Sequence, residues 1–167
     1  FGFLVLLAAT IILEIDHQMP ESLKFLHGKV YMGYAAIADF FGLVFLVGIL
    51  WAIARRYIQR PYRIRIKTKP EDAAVLTTFL VIALTGFLIE AFRIALLDRP
   101  GFEKWSFSGY TVSGLFDGFS TADLQNWHRA FWGIHFAAFV AFLVLLPTTK
   151  LRHMVTSPMN MYLKDKE

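Results

Sequence analysis

Apolar positions along this chain come in four long blocks, and polar positions gather in the gaps between them. The first block, FGFLVLLAATIIL (residues 1–13), is too short to span a bilayer, which takes about 20 residues, unless it is the later part of a longer helix. It is apolar from its first residue and lacks the basic start and small-residue cleavage site of a signal peptide. Residue 1 is therefore read as the middle of a transmembrane helix that begins upstream. The other blocks cover residues 30–54, 73–97 and 127–146, each long enough to cross. The expected fold class is all-α: a transmembrane helical bundle of three full spans plus a truncated first helix, forming one domain over residues 1–167.

Charge placement orients the bundle. Between the second and third blocks, RRYIQRPYRIRIKTK carries Arg55, Arg56, Arg60, Arg63, Arg65, Lys67 and Lys69 and no acid. The tail from residue 154, together with the residues just before it, adds Lys150, Arg152, Lys164 and Lys166. Eleven of the 17 lysines and arginines thus fall on one side, which the positive-inside rule makes cytoplasmic. The loops EIDHQMPESLKFLHGK and DRPGFEKWSFSGYTVSGLFDGFSTADLQN, mixed in charge, fall outside. The net charge of +4 is explained by this topology, with lipid headgroups as partners rather than nucleic acid. Composition agrees: 56% hydrophobic, with a mean hydropathy of +0.50, is more apolar than a soluble domain of 167 residues can carry. Cysteine is absent, which excludes disulfides, thiolate zinc sites and cysteine-ligated iron–sulfur clusters within this stretch.

The candidate chemistry lies in histidines and buried charges. In HFAAFVAFLVLLPTTKLRH, His135 and His153 are eighteen residues apart, so an unbroken helix puts them on one face, roughly 27 Å apart along the axis. That is close to the thickness of the hydrocarbon core, about 30 Å. Ionisable groups at such depths are functional candidates, and neutral imidazole is a common haem ligand. One helix with a histidine near each surface suits two stacked b-type haems. The plainer reading is a helix–helix hydrogen bond at His135 and an interfacial cation at His153.

His128, seven residues before His135, is either an aromatic-belt anchor beside Trp127 and Trp132 or a ligand or a haem-propionate or quinone contact. His27, at the outer mouth of the second span, is a candidate ligand or quinone contact. His17 is read as a solvated loop residue, because Pro20 and DHQMPESLK interrupt any helical register between it and His27. Asp39, Glu90 and Arg93 sit inside apolar spans. Arg93 is expected to pair with Asp39 or Glu90, since an unpaired charge there is costly; the carboxylates are also candidates for proton handling at a quinone. Gly33, Gly42, Gly48 and Gly86 are expected to allow close approach of helices or a porphyrin.

The run His135, Pro147, Lys150, His153, followed by TSPMN (156–160), resembles the last transmembrane helix of the respiratory nitrate reductase gamma-subunit superfamily. Further stretches are FLHGKVY (25–31), Asp39, GILWAIARRYI (48–58), GFLIEAFRIA (86–95), WSFSGY (105–110) and WHRAFWGIH (127–135). With these, nearly the whole chain is similar to the cytochrome-like membrane domain of heterodisulfide reductase-type iron–sulfur oxidoreductases. That group includes membrane proteins that carry electrons from electron-transfer flavoprotein to quinone. The resemblance implies haem b, two in the fuller members, with His135 on the outer haem and His153 on the inner. It implies opposite ligands on the helix feeding FGFLVLL, a cytoplasmic iron–sulfur partner in a separate or further module, and a bacterial or archaeal inner membrane. The function expected is electron transfer between that partner and quinone. A haem-free anchor for a peripheral redox complex, or a proton or solute transporter using Asp39, Glu90 and Arg93, are the alternatives.

Overall fold

The computed structural model describes Gly2–Lys164; Phe1 and residues 165–167, including Lys166 of the basic tail, lie outside the described residues. Helices follow one another as α1 (Gly2–Gln18), α2 (Gly28–Ile53, continued by a π-helical turn at Ala54–Gln59), α3 (Tyr62–Arg65) and α4 (Pro70–Leu96). Then come α5 (Phe107–Ser113, between 3-10 turns at Gly101–Trp105 and Gly114–Phe116), α6 (Thr121–Thr148) and, past a 3-10 turn at Lys150–Arg152, α7 (His153–Lys164). Among the described residues there is no strand, so the all-α expectation holds. Gly28–Gln59, Pro70–Leu96 and Thr121–Thr148 are long and apolar enough to cross a membrane. Each exceeds its expected block because polar capping residues extend the helix past the apolar run.

Local chemistry sets these ends. α4 starts with Pro70, whose missing N–H costs nothing in the first turn. Asp72 accepts the Lys69 backbone N–H at 2.8 Å, and Glu71 and Asp72 put negative charge at the positive end of the helix dipole. α6 is capped by Ser120, whose hydroxyl accepts from the Asp123 backbone N–H at 3.2 Å. α1 runs on to Gln18, so His17 is an exposed helical residue and not a loop residue; the polar stretch is helical up to the residues before Pro20. The register to His27 is still broken there, because residues 21–23 form a turn and residues 24–27 are not helical.

α6 does not continue to His153. Pro147 brings no N–H to the helix and crowds the preceding turn. Thr148 and Thr149 turn their hydroxyls back onto the Val144 and Leu145 carbonyls, each at 2.7 Å. Thr149 is extended, with φ −118 and ψ −172, and ends the helix. His153 therefore opens α7, and the expectation that His135 and His153 share one helix face is corrected.

α4 is the central helix, with α2 and α6 packed against it and α1 against α2. The secluded face of α6 reads Leu124, His128, Phe131, His135, Ala138, Phe142, at alternating spacings of four and three. Its other faces expose Trp132, Phe136, Val140, Leu143 and Val144, as a lipid-facing helix does. Midway along the bundle, Phe3, Phe45, Phe79 and Phe142 from four different helices form one ring cluster, with centroids 5.2 to 5.7 Å apart.

Two of the four glycines expected at close approaches are there. A Cβ on Gly42 would stand 2.9 Å from the Phe87 ring, and one on Gly86 would stand 3.6 Å from His135 Cε1. Gly33 and Gly48 face open space instead. Gly2, against the Phe41 and Phe45 backbone at 3.0 Å, and Gly109, against Glu90 at 2.8 Å, are close approaches that the sequence alone did not single out.

Candidate functional site

The ring cluster separates two cavities, one toward α5 and one toward the basic loop. Three helices agree on this order. Phe79 falls between Ile82 of the first cavity and Leu76 of the second, and Phe142 between His135 and Thr149. Phe45 itself lines the first cavity, seven residues from Ala52 of the second.

The cavity toward α5 measures about 260 Å³ and is lined by residues of α1, α2, α4 and α6, among them Asp39, Gly42, Gly86, Glu90 and His135. His135 reaches it from the secluded face of α6 and lies against Gly86. Its Nδ1 is 2.9 Å from Thr85 Oγ1 on α4. Asp39 is 3% exposed, and its carboxylate accepts both the Ser108 backbone N–H, at 2.7 Å, and the Ser108 hydroxyl. Glu90, one turn along α4 from Gly86, packs its carboxylate on Gly109 of α5. The segment drawn from sequence as an outer loop is thus a folded cap whose α5 sits directly on both carboxylates.

Arg93 does not line this cavity. Its two terminal nitrogens clasp Glu103 at 2.6 and 3.0 Å, and one of them also donates to Tyr31 Oη at 3.1 Å. The expected partner, Asp39 or Glu90, is corrected to Glu103. The physical reason is the Gly101–Trp105 turn, which brings an acid that is 1% exposed to the end of α4, where a planar fork can meet it bidentately. Asp39 is meanwhile satisfied by Ser108.

The second cavity, about 180 Å³, lies at the basic end among Ala52, Arg56, Asp72, Thr149, Lys150 and His153. Lys150 Nζ meets both Asp72 oxygens at 3.0 and 3.1 Å, and Glu71 at 3.8 Å. Arg56, on the π-helical turn, pairs with Asp72 as well. His153 is exposed, with Nδ1 directed to the Lys150 carbonyl.

Of the remaining histidines, His128 is half-buried two turns beyond His135, while His27 is exposed at the N-cap of α2 and His17 is exposed on α1; none of the three lines either cavity. Among the described residues no group of three or more His, Asp or Glu side chains converges as a metal cluster would. An axial haem ligand needs no such cluster. Sequence reasoning missed Thr85, Glu103 and Ser108. Thr85 carried one usable signal, a hydroxyl beside a glycine in the middle of an apolar span.

No solved structure matches this chain. The chain is 32% identical over 175 aligned residues to the EtfAB:quinone oxidoreductase of Syntrophomonas wolfei subsp. wolfei (strain DSM 2245B / Goettingen). The match covers all of this chain and 24% of that protein, so the chain spans about a quarter of that relative's length. The family model described as nitrate reductase gamma subunit matches residues 1–166. With three helices able to cross a bilayer, the chain is a multi-pass membrane protein, and it belongs to the nitrate reductase gamma subunit family.

Proposed function

We propose that the chain is the cytochrome b-type membrane segment of a quinone-linked oxidoreductase. It moves electrons between quinone at the α5 end and an iron–sulfur subunit or domain at the basic end, with electron-transfer flavoprotein as the soluble donor. The basic end faces the cytoplasm of a bacterial or archaeal cell, as the positive-inside rule requires of its Arg and Lys residues, and its charges meet lipid headgroups. The observation that carries this reading is the setting of His135. It is an imidazole on the secluded face of α6 that lines a cavity of about 260 Å³, with Nδ1 engaged on α4.

The residues present fit a haem on the side they form. Gly86 lets the His135 ring lie close on α4, and coordination would fall to His135 Nε2 because Nδ1 is engaged. At the basic end His153 stands in the same relation to the Lys150 carbonyl. The lining supplies one imidazole per site, as the resemblance implies. A b-type haem held there supplies one-electron redox chemistry.

The rest is the work of this chain's own groups. Reduction of a quinone takes two protons with two electrons, and Asp39 and Glu90 both line the cavity at His135. Asp39 is held by Ser108 under α5, and Glu90 is covered by Gly109, so a proton coming from the α5 side reaches the cavity through these carboxylates. Arg93 is assigned to holding the Gly101–Trp105 turn through Glu103, which keeps α5 seated. His128 and His27 are assigned to the approach from the α5 end, as contacts for haem propionate or quinone headgroup.

A reduced-minus-oxidised visible spectrum with a pyridine haemochrome assay tests this reading. We expect a b-type α band that His135→Ala and His153→Ala each diminish by about one haem. A flat spectrum from intact, gently extracted protein would overturn the proposal and leave a haem-free anchor as the better account.

A further inference from the structure

Thr85 was not among the residues that the proposed electron path uses, yet its hydroxyl fixes the chemistry of His135. A threonine hydroxyl has one proton to give. Thr85 Oγ1 lies 2.6 Å from the Val81 carbonyl oxygen one turn back on α4, with the Ile82 carbonyl at 3.3 Å. Two oxygens approach that closely only with the proton between them. What the hydroxyl has left for His135 Nδ1, 2.9 Å away, is a lone pair. Nδ1 must therefore carry hydrogen and donate it, and Nε2 must carry the ring's free lone pair. Thr85 is 5% exposed, so little water competes for either bond.

We infer that Thr85 is a positioning residue that holds His135 in the Nδ1–H tautomer, ring against Gly86, so that Nε2 is the nitrogen presented to the cavity. The helix backbone takes part: the Val81 carbonyl already accepts within α4, and the second bond from Thr85 leaves the hydroxyl polarised toward the ring. An acceptor on Nδ1–H makes the imidazole a stronger donor to whatever Nε2 binds. The purpose of this arrangement rests on the proposed haem at His135; the tautomer itself does not.

The test uses the full chain, extracted in mild detergent, in three forms: unchanged, Thr85→Val and Thr85→Ser. Valine keeps the shape of threonine and removes the hydroxyl acceptor, leaving to the ring the Ile82 carbonyl, which also interacts with it; serine keeps the hydroxyl. With 15N-labelled histidine and reduced protein, the His135 signals are those missing in His135→Gln. We expect a protonated, slowly exchanging Nδ1 in the unchanged and Thr85→Ser proteins, and faster exchange or mixed tautomers in Thr85→Val. A hydrogen on Nε2 in the unchanged protein, or no difference in Thr85→Val, would overturn the inference. In the same samples, the midpoint potential of the haem lost in His135→Gln should rise in Thr85→Val and return in Thr85→Ser. An unmoved potential would overturn the tuning role. Failure of the haem reading looks different: the visible spectrum is flat in all three forms while the 15N result still decides the hydrogen bond.

Discussion

The two ends of the bundle use the same residue types in opposite ways. Each gathers a histidine, carboxylates and a guanidinium near a cavity. At the α5 end the pieces are locked: Glu103 is sealed in Arg93's fork, Asp39 is closed over by Ser108, and His135 is gripped by a hydroxyl from another helix. At the basic end Asp72 is buried, but Lys150 and His153 beside it are open. Lys150, whose side chain is 51% exposed, reaches over Asp72, and His153 is held by a carbonyl three residues back in its own chain, past the end of α6. Ion pairs behave accordingly. Exposed pairs contribute little, while breaking a buried one leaves a charge that the surroundings cannot solvate. The α5 end is built to keep one geometry, and the basic end to tolerate adjustment against a partner or lipid.

That contrast can be broken by substitution. Arg93→Ala should have the largest effect, because it takes the cation from buried Glu103 and leaves it the Tyr31 hydroxyl. A loss of about 3 kcal/mol is expected, at the low end for a buried pair because Arg93 itself is 37% exposed. Thermal unfolding in detergent reads it, and Arg93→Lys should recover part of the loss, since a lysine keeps the charge but not the fork. Gly109→Ala comes next: the added methyl would sit 2.8 to 2.9 Å from Glu90, and overpacking of this kind costs about 1–3 kcal/mol. Adding Glu90→Ala should remove most of that penalty, a coupling that a double-mutant cycle measures. Lys150→Ala should be the mildest, about 1 kcal/mol or less, because Asp72 keeps Arg56 and the Lys69 backbone N–H. A larger loss in Lys150→Ala than in Arg93→Ala would reverse the comparison.

The spans and their order were legible in the sequence because apolar length is a direct consequence of bilayer thickness. His135 was legible too, as an ionisable residue in an apolar span. The pairings were not. Arg93 and Glu90 are three residues apart on one helix, which makes them neighbours on paper, but Glu103 wins because a 3-10 turn folds its carboxylate onto the fork. The break between His135 and His153 was written in Pro147, Thr148 and Thr149, yet the spacing of eighteen suggested a continuous helix. Propensity can end a helix at a proline or let it bend through; here two back-bonding threonines decided for the end. Thr85 escaped notice because a threonine within a span usually bonds its own backbone, and it does so here while also serving His135.

The four phenylalanine rings at the centre have an electrical consequence. Protons move through proteins along oxygen and nitrogen atoms, and Phe3, Phe45, Phe79 and Phe142 offer none in their side chains. A membrane voltage applied to this bundle therefore meets, between the two cavities, a layer whose side chains offer no proton a foothold. A unit charge carried from one cavity to the other would work against the share of the potential that falls between them, out of about 2.3 kcal/mol for each 100 mV across the whole membrane.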